Sequence, residues 1–586
     1  MSATRLRPDE LVVASRPVAP AARRWAIAGT VAIVALVTTA AALLLAAGTA
    51  PVGRLAGWAP DGSVAYAELR TDPPSLQDPA VARFLGRFPG LADPARLDEK
   101  VVELGDRLLE RVTDGALAYA PIRAWLGDAA AVAVVAPPTK ERSTPVVAIL
   151  AVDDAAALRD WIAANVPAGG ETVTYRGVQL TTGTYRGDPE LSWAYAPLET
   201  VLLAGERRAV EAAIDAGGSG AYAASEPFRT AVAAIEGPVV AFAVADGPGL
   251  VDGLVSDPGL SATMRDAIRA ATPAWVAAGW RIEDDGLVAE VVGPSPDRIA
   301  ATTGAAPSLP PRTNAPSVLA TRLPSTTIGY SELHDVGPLL VALGGIAAAV
   351  EPTAGTDGGS GLGDLGAVLP LVGNGDALVG WLDDAALAIL PGTVEPLAGI
   401  VATTADPAAA AATLRQVRAI VELLAPPGTT LSESTIAGST VTTLAVADPV
   451  AVARLLAAAT GGAVPEALLE SSAGSPAAIS WTLAGDLFVM AGSTEFIAGV
   501  LAVDEAGSLA ASAGYRDAIA RVGAANAAAG YLDPRALLEL IVPTLPADAR
   551  TSYERDLAPF AEVLGAVAWS SLAEEPMRVR FALTLR

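Results

Sequence analysis

The sequence predicts an α+β protein: an N-terminal transmembrane helix followed by two tandem-duplicated α+β halves with mainly antiparallel sheets. Three observations predict it. Residues 25–50 carry no charge, and five short motifs recur in the same order along the rest of the chain. Apolar strand-like runs also come in consecutive pairs with helical stretches between them, rather than in strict strand–helix–strand alternation.

Between Arg24 and Arg54 there is no charged residue. As a helix, residues 25–50 would rise about 39 Å, more than the roughly 30 Å of a hydrocarbon core. Trp25 stands where an indole prefers the interface, and Arg16, Arg23 and Arg24 flank the same end. The positive-inside rule then puts residues 1–24 in the cytoplasm as a short disordered tail, and the C-terminal region outside the cytoplasm. A cleaved signal peptide would have an apolar region of only about 7–15 residues, so the segment is expected to stay as an anchor. Residues 51–57 are a juxtamembrane linker.

The chain has 586 residues, with 39 basic and 64 acidic side chains and a formal net charge of -25. Its first 53 residues hold five arginines and two acids, so the acidity belongs to the outer part. Such a surface repels phosphate backbones, which excludes nucleic acid as a partner. There is no cysteine, which removes disulfides, thiolate metal sites and thiol catalysis together. With 52% apolar residues the chain can instead build large cores.

The repeated motifs are collinear. Ser63–Arg70, with Tyr66 and Glu68, returns as Thr327–His334, with Tyr330 and Glu332. Trp125-Leu-Gly-Asp128 returns as Trp381-Leu-Asp-Asp384, and Trp193 returns as Trp481. Phe228 returns as Tyr515, and Asp246 with Leu250 as Asp533 with Leu537. Residues 58–305 and 317–586 are therefore read as the two halves, joined by a Pro-rich linker over 306–316.

Within each half the elements also correspond. Val146–Val152 is an apolar strand, followed by a helix over Ala155–Asn165 with Asp153 as the capping candidate. Leu191–Ala196 and Thr200–Ala204 read as a hairpin that leads into a helix from Glu206. The second half offers Leu397–Thr403, a helix from Asp406, strands around Thr430–Val446, the pair Ala478–Leu483 and Leu487–Ala491, and a helix from Thr494. Asp285-Gly286 predicts a hairpin turn between two further strands. The final strand alternates Val579, Phe581, Leu583 and Leu585 with Arg578, Arg580 and Thr584.

The run Pro60-Asp-Gly-Ser-Val-Ala-Tyr66-Ala-Glu68-Leu-Arg70 is followed by Phe84-Leu-Gly-Arg-Phe88-Pro-Gly90 and Trp125-Leu-Gly127. This set resembles the bacterial membrane-anchored family catalogued as domain of unknown function 3352. The resemblance implies a short basic tail, one membrane helix and a large outer region. It implies no activity.

Few residues could carry chemistry. Glu68 and Glu332 recur at equivalent positions and could form a carboxylate pair as in glycosidases. The competing expectation is a repeated structural ion pair, Glu68 with Arg70 on one strand face. His334 is the only histidine, so any Ser-His-Asp triad would have to use it. One histidine without cysteine argues against a zinc site. Gly361-Leu-Gly-Asp-Leu-Gly366 fits a dinucleotide pattern but no strand precedes it, so it reads as a loop. Serine–lysine chemistry would need Lys100 or Lys140, and neither has the spacing. No cofactor and no metal are expected. The sequence thus points to an uncharacterised, non-catalytic envelope protein that binds or scaffolds a ligand or protein outside the membrane. An envelope-polymer hydrolase and a subunit of a membrane complex are the alternatives.

Overall fold

The computed structural model describes residues 53–71, 79–96, 118–135, 145–165, 170–185, 188–255, 272–283, 285–295, 312–349, 379–392, 396–424, 428–447 and 477–586, with isolated positions at 99–107, 265–269 and 310. The expected tail and anchor, the Gly361–Gly366 segment and Lys140 lie outside these residues. Among the described residues no helix is long and apolar enough to cross a membrane.

Among the described residues, helices are combined with one large antiparallel sheet of twenty strands. The first ten are β1 (Ala65–Arg70), β2 (Leu126–Val134), β3 (Val146–Val152), β4 (Glu171–Tyr175), β5 (Val178–Tyr185), β6 (Asp188–Pro197), β7 (Val201–Glu206), β8 (Ala241–Asp246), β9 (Trp275–Glu283) and β10 (Gly286–Gly293). The second ten are β11 (Gly329–Leu333), β12 (Ala385–Leu390), β13 (Leu397–Thr403), β14 (Thr429–Ile436), β15 (Ser439–Val446), β16 (Ala477–Ala484), β17 (Leu487–Ala491), β18 (Ala528–Leu532), β19 (Leu564–Leu572) and β20 (Met577–Leu585). A two-residue pair, 315–316 with 525–526, stands apart.

The first ten strands lie in the order β4-β5-β6-β7-β3-β2-β1-β8-β9-β10. The second ten continue as β20-β19-β18-β11-β12-β13-β17-β16-β15-β14, the same order reversed. The seam is the antiparallel pair β10–β20. The register locates a pseudo-twofold axis there. Tyr66 and Tyr330 face Val244 and Tyr531, which face Ala277 and Ala568, which face Val292 and Ala582. Counting two residues inward from that last pair reaches Glu290 and Arg580, and these two face each other across the seam.

Helices correspond as well. Among those that correspond are, in the first half, α1 (Ala155–Asn165), α2 (Arg207–Ala216), α3 (Glu226–Ala234) and α4 (Gly247–Val255). Their counterparts are α5 (Pro407–Leu424), α6 (Thr494–Leu501), α7 (Ala513–Val522) and α8 (Pro534–Ile541). Side-chain oxygens cap most of their starts, taking up N–H groups that have no partner within the helix. Asp406 accepts from Ala408 and Ala409, Glu206 from Ala209, and the repeated Asp246 and Asp533 from Gly249 and Ala536. At α1 the cap is Asp154, not the expected Asp153, because its Oδ1 reaches the Ala156 and Ala157 amides.

Each half has its own core. Tyr66, Ile149, Leu203, Val210 and Phe228 anchor the first, and Tyr330, Val401, Val489, Phe496 and Tyr515 the second. A third cluster bridges them: Phe84, Leu85, Leu91 and Val240 close on Leu585, with Leu583 and Leu564 beside it. Of the repeated tryptophans, Trp125 is 1% exposed and lies 5.4 Å from the Trp161 ring. Trp125→Ala should cost about 3–5 kcal/mol, read as a lower unfolding midpoint, since the cavity left cannot collapse fully.

The alternation of β20 is present, but its faces are not the ones an apolar-in, polar-out rule would assign. Arg578, Ala582 and Thr584 are buried while Phe581 is 43% exposed. The reason is the seam. Arg578 donates to buried Glu290 at 2.8 Å, and Arg281 and Arg580 approach the same carboxylate at 3.2 and 3.8 Å. Glu290 also accepts from the Glu236 amide at 2.7 Å, and Arg580 pairs with Glu236 at 2.7 Å. Beyond the strand ends, Arg521 of the second half forms ion pairs with Glu283 and Asp285 of the first.

Gly530 is among several glycines required by close approach. A Cβ on Gly530 of β18 would lie 1.9 Å from the indole nitrogen of Trp569, its partner on β19. Gly530→Ala should therefore push the indole off the sheet, lower stability by about 1–3 kcal/mol and blue- or red-shift tryptophan fluorescence.

Candidate functional site

The repeated glutamates do not meet in a shared cleft. Each is buried within its own half and holds the chain that leads into that half. Glu68 sits in the middle of the sheet, where β1 lies between β2 and β8. Its carboxylate accepts the amides of Gly53 at 3.1 Å, Arg54 at 3.3 Å and Leu55 at 2.9 Å. Tyr66, two residues earlier and so on the same strand face, donates its hydroxyl at 2.5 Å. The amides belong to the start of a 3-10 turn, Ala56–Trp58, whose first N–H groups have no partner within the turn. Leu55, Ala56 and Ala59 are thereby drawn into the core.

Glu332 repeats this on β11. It accepts from the Leu319 amide at 3.3 Å, from Tyr330 at 2.7 Å and from the Ser317 hydroxyl. The turn it holds is Leu319–Thr321, with Leu319 and Ala320 buried. Leu55 and Leu319 each lie thirteen residues before their glutamate, which equates Arg54 with Val318. The expected Glu68–Arg70 ion pair is replaced by this latch as the repeated contact, because backbone amides at the head of a turn are better-placed donors for a buried carboxylate. Burial, and after it the neighbouring glutamate, pushes the Tyr66 and Tyr330 hydroxyls well above the ordinary tyrosine range.

The strand ends beside the latches differ between halves. In the first, Asp128 pairs with Arg54, and Arg70 is the residue two past Glu68. In the second, His334 takes the place of Arg70 and lies 3.0 Å from Asp384, the aspartate that follows the repeated tryptophan. Burial pushes the His334 imidazole down, but the contact with Asp384 and the charges of Asp384, Glu332 and Asp335 outweigh it, so its pKa lies above the ordinary value. Asp383 is raised by burial and by Asp384 and Asp335. No hydroxyl is hydrogen-bonded to His334 among the described contacts, and both its ring nitrogens lack an aligned hydrogen bond. Lys100 is ion-paired with Glu103 at 2.5 Å.

A cavity of about 350 Å³ opens next to the first latch. Asp61, Ser63, Tyr222, Phe228 and Asp246 line it. Phe228 also packs edge-on against Tyr66, with ring centroids 5.8 Å apart. Sequence reasoning found Glu68, Glu332, Asp246 and Phe228 through their recurrence. It missed Tyr222 and Ser317, which lie outside the repeated motifs.

No curated protein and no solved structure matches this chain. A family model does match, over residues 25–571, and its description is protein of unknown function (DUF3352). That span takes in both latches, both cores and the seam strand β10, so the chain belongs to the DUF3352 family.

Proposed function

We propose that this protein is a membrane-anchored envelope protein whose outer region is a non-catalytic binding or scaffolding body. The observation that carries the reading is the use of Glu68 and Glu332. Both recurring glutamates are occupied by backbone amides and a tyrosine hydroxyl, in separate cores, as an acid–base pair across an open cleft could not be. The anchor is supported by the uncharged run 25–50 with its flanking arginines, and the family match begins at residue 25, at the head of that run. The first latch grips residues 53–55, immediately after the run, so the outer body is tied closely to the bilayer surface.

The lack of cysteine makes topology directly testable. Ser2→Cys and Ser219→Cys variants of the full chain would be exposed to a membrane-impermeant maleimide on intact cells. Labelling of Cys at 219 alone is the expected result, and labelling at 2 alone would overturn the orientation. Binding is read by native mass spectrometry of the full chain released from detergent. A stoichiometric small mass lost on organic extraction supports a ligand in the cavity beside Tyr222, which is within the size range of small-molecule sites. A bare polypeptide mass shifts the role to protein partners.

A further inference from the structure

We propose that Glu332, His334 and Asp384 bind a divalent transition-metal ion of the zinc type. One ligand atom from each of the three lies within 4.8 Å of the other two. Small side-chain adjustments bring imidazole nitrogen and carboxylate oxygens to the roughly 2.0–2.2 Å that such an ion takes, with a fourth position left for water.

Comparison of the halves points to a cation at this place. In the first half Arg54 reaches Asp128 directly, and Arg70 stands two residues past Glu68 on the same strand. The second half keeps both acids, as Glu332 and Asp384, and adds Asp383 and Asp335 close by. Yet it has lost both arginines: Val318 stands for Arg54 and His334 for Arg70. A buried carboxylate cluster is costly unless its charge is offset; here His334 faces four carboxyl groups, and a bound cation would take over the role that the guanidinium groups have in the first half.

His334 is the second, independent sign. It is 7% exposed, and both Nδ1 and Nε2 are buried without a hydrogen bond. The 3.0 Å approach of Nδ1 to Asp384 is close but not aligned as an N–H···O bond. Buried imidazole nitrogens are normally satisfied, and a neutral ring nitrogen is a good donor to zinc. Among the described residues Glu332 Oε1 accepts the Leu319 amide alone, which leaves a lone pair for an ion while the amide and Tyr330 hold the carboxylate in place.

The test uses the full chain in detergent with an affinity tag free of histidine, stripped with chelator and then equilibrated with zinc chloride in excess magnesium. Elemental mass spectrometry after gel filtration should find one zinc per chain. Zinc should raise the unfolding temperature of the wild type. His334→Arg restores the residue that the first half carries, and should retain no zinc while keeping the fold. Asp384→Asn should weaken zinc binding by more than the roughly 10–100-fold that outer partners contribute. X-ray absorption at the zinc edge provides a reading that needs no variant. His334 is the only histidine, so a single imidazole in the zinc shell identifies the site. An all-oxygen shell, no stoichiometric zinc in the wild type, or equal retention by His334→Arg would overturn the proposal.

Discussion

Glu290→Ala should lower the unfolding free energy by about 3–5 kcal/mol, the usual cost of removing one partner from a buried ion pair. Glu290 is fully buried and receives Arg281 from its own half and Arg578 from the other. Its loss leaves the Arg281 and Arg578 guanidinium groups, with Arg580 nearby, without the buried carboxylate that they share. The Glu236 amide loses its acceptor as well. Denaturant unfolding of the full chain, followed by tryptophan fluorescence, reads the change as a lower midpoint. The double variant Glu290→Met, Arg578→Met should recover much of the loss, since matched apolar groups are cheap where a lone charge is not. A wild-type midpoint for Glu290→Ala would show that the seam rests on its apolar cluster around Leu585 instead.

Glu68→Ala should cost about 3 kcal/mol. Hydrogen bonds to a charged group each contribute roughly 1.5–3 kcal/mol, and those that share one acceptor do not add fully. Four donors lose their acceptor together: the amides of Gly53, Arg54 and Leu55, and the Tyr66 hydroxyl. The effect is local as well as global. Hydrogen exchange at residues 53–55 should accelerate far more than exchange in β1, because those three amides lose their acceptor while β1 keeps its strand partners on both sides. Glu332→Ala should do the same at Leu319. Tyr66→Phe, which removes one donor, should cost about 1 kcal/mol and leave the amides protected. Unchanged exchange at residues 53–55 in Glu68→Ala would rule out the latch.

Much of the fold was legible because local signals agreed with the global pattern. The run Val146–Val152 and the helix Ala155–Asn165 fall at the positions read from sequence, as does Leu397–Thr403. The hairpin is present too, but its turn falls one residue earlier than Asp285-Gly286, because Gly286 already belongs to β10 and pairs with Glu283. Caps were less certain where two acids stand side by side: Asp153 and Asp154 are chemically equal, and only backbone geometry selects the second. The latch could not be read, because its donors are backbone amides, which every residue carries and no motif records. Recurrence flagged Glu68 and Glu332 but not what they hold. The seam was equally hidden. Arg578 and Thr584 read as a solvent face by alternation, but theirs is the face turned inward at the seam, while Phe581 on the other face is the exposed one. A single histidine without cysteine argues against a metal site in the sequence, and only the fold brings Asp384 to His334.

The axis through the seam has a consequence for how such a chain can vary. A join of β10 to its own counterpart is isologous: both sides contribute the same strand, and the contact is used up once made. No third repeat can be appended there, so the assembly closes at two. A single-repeat ancestor joined in this way would place identical residues against each other on the axis, glutamate against glutamate or arginine against arginine. Joining both copies in one polypeptide removes that constraint. Glu290 can face Arg580, an attraction that no pair of identical subunits could achieve at that position. The same freedom allows one copy to keep arginine where the other carries histidine.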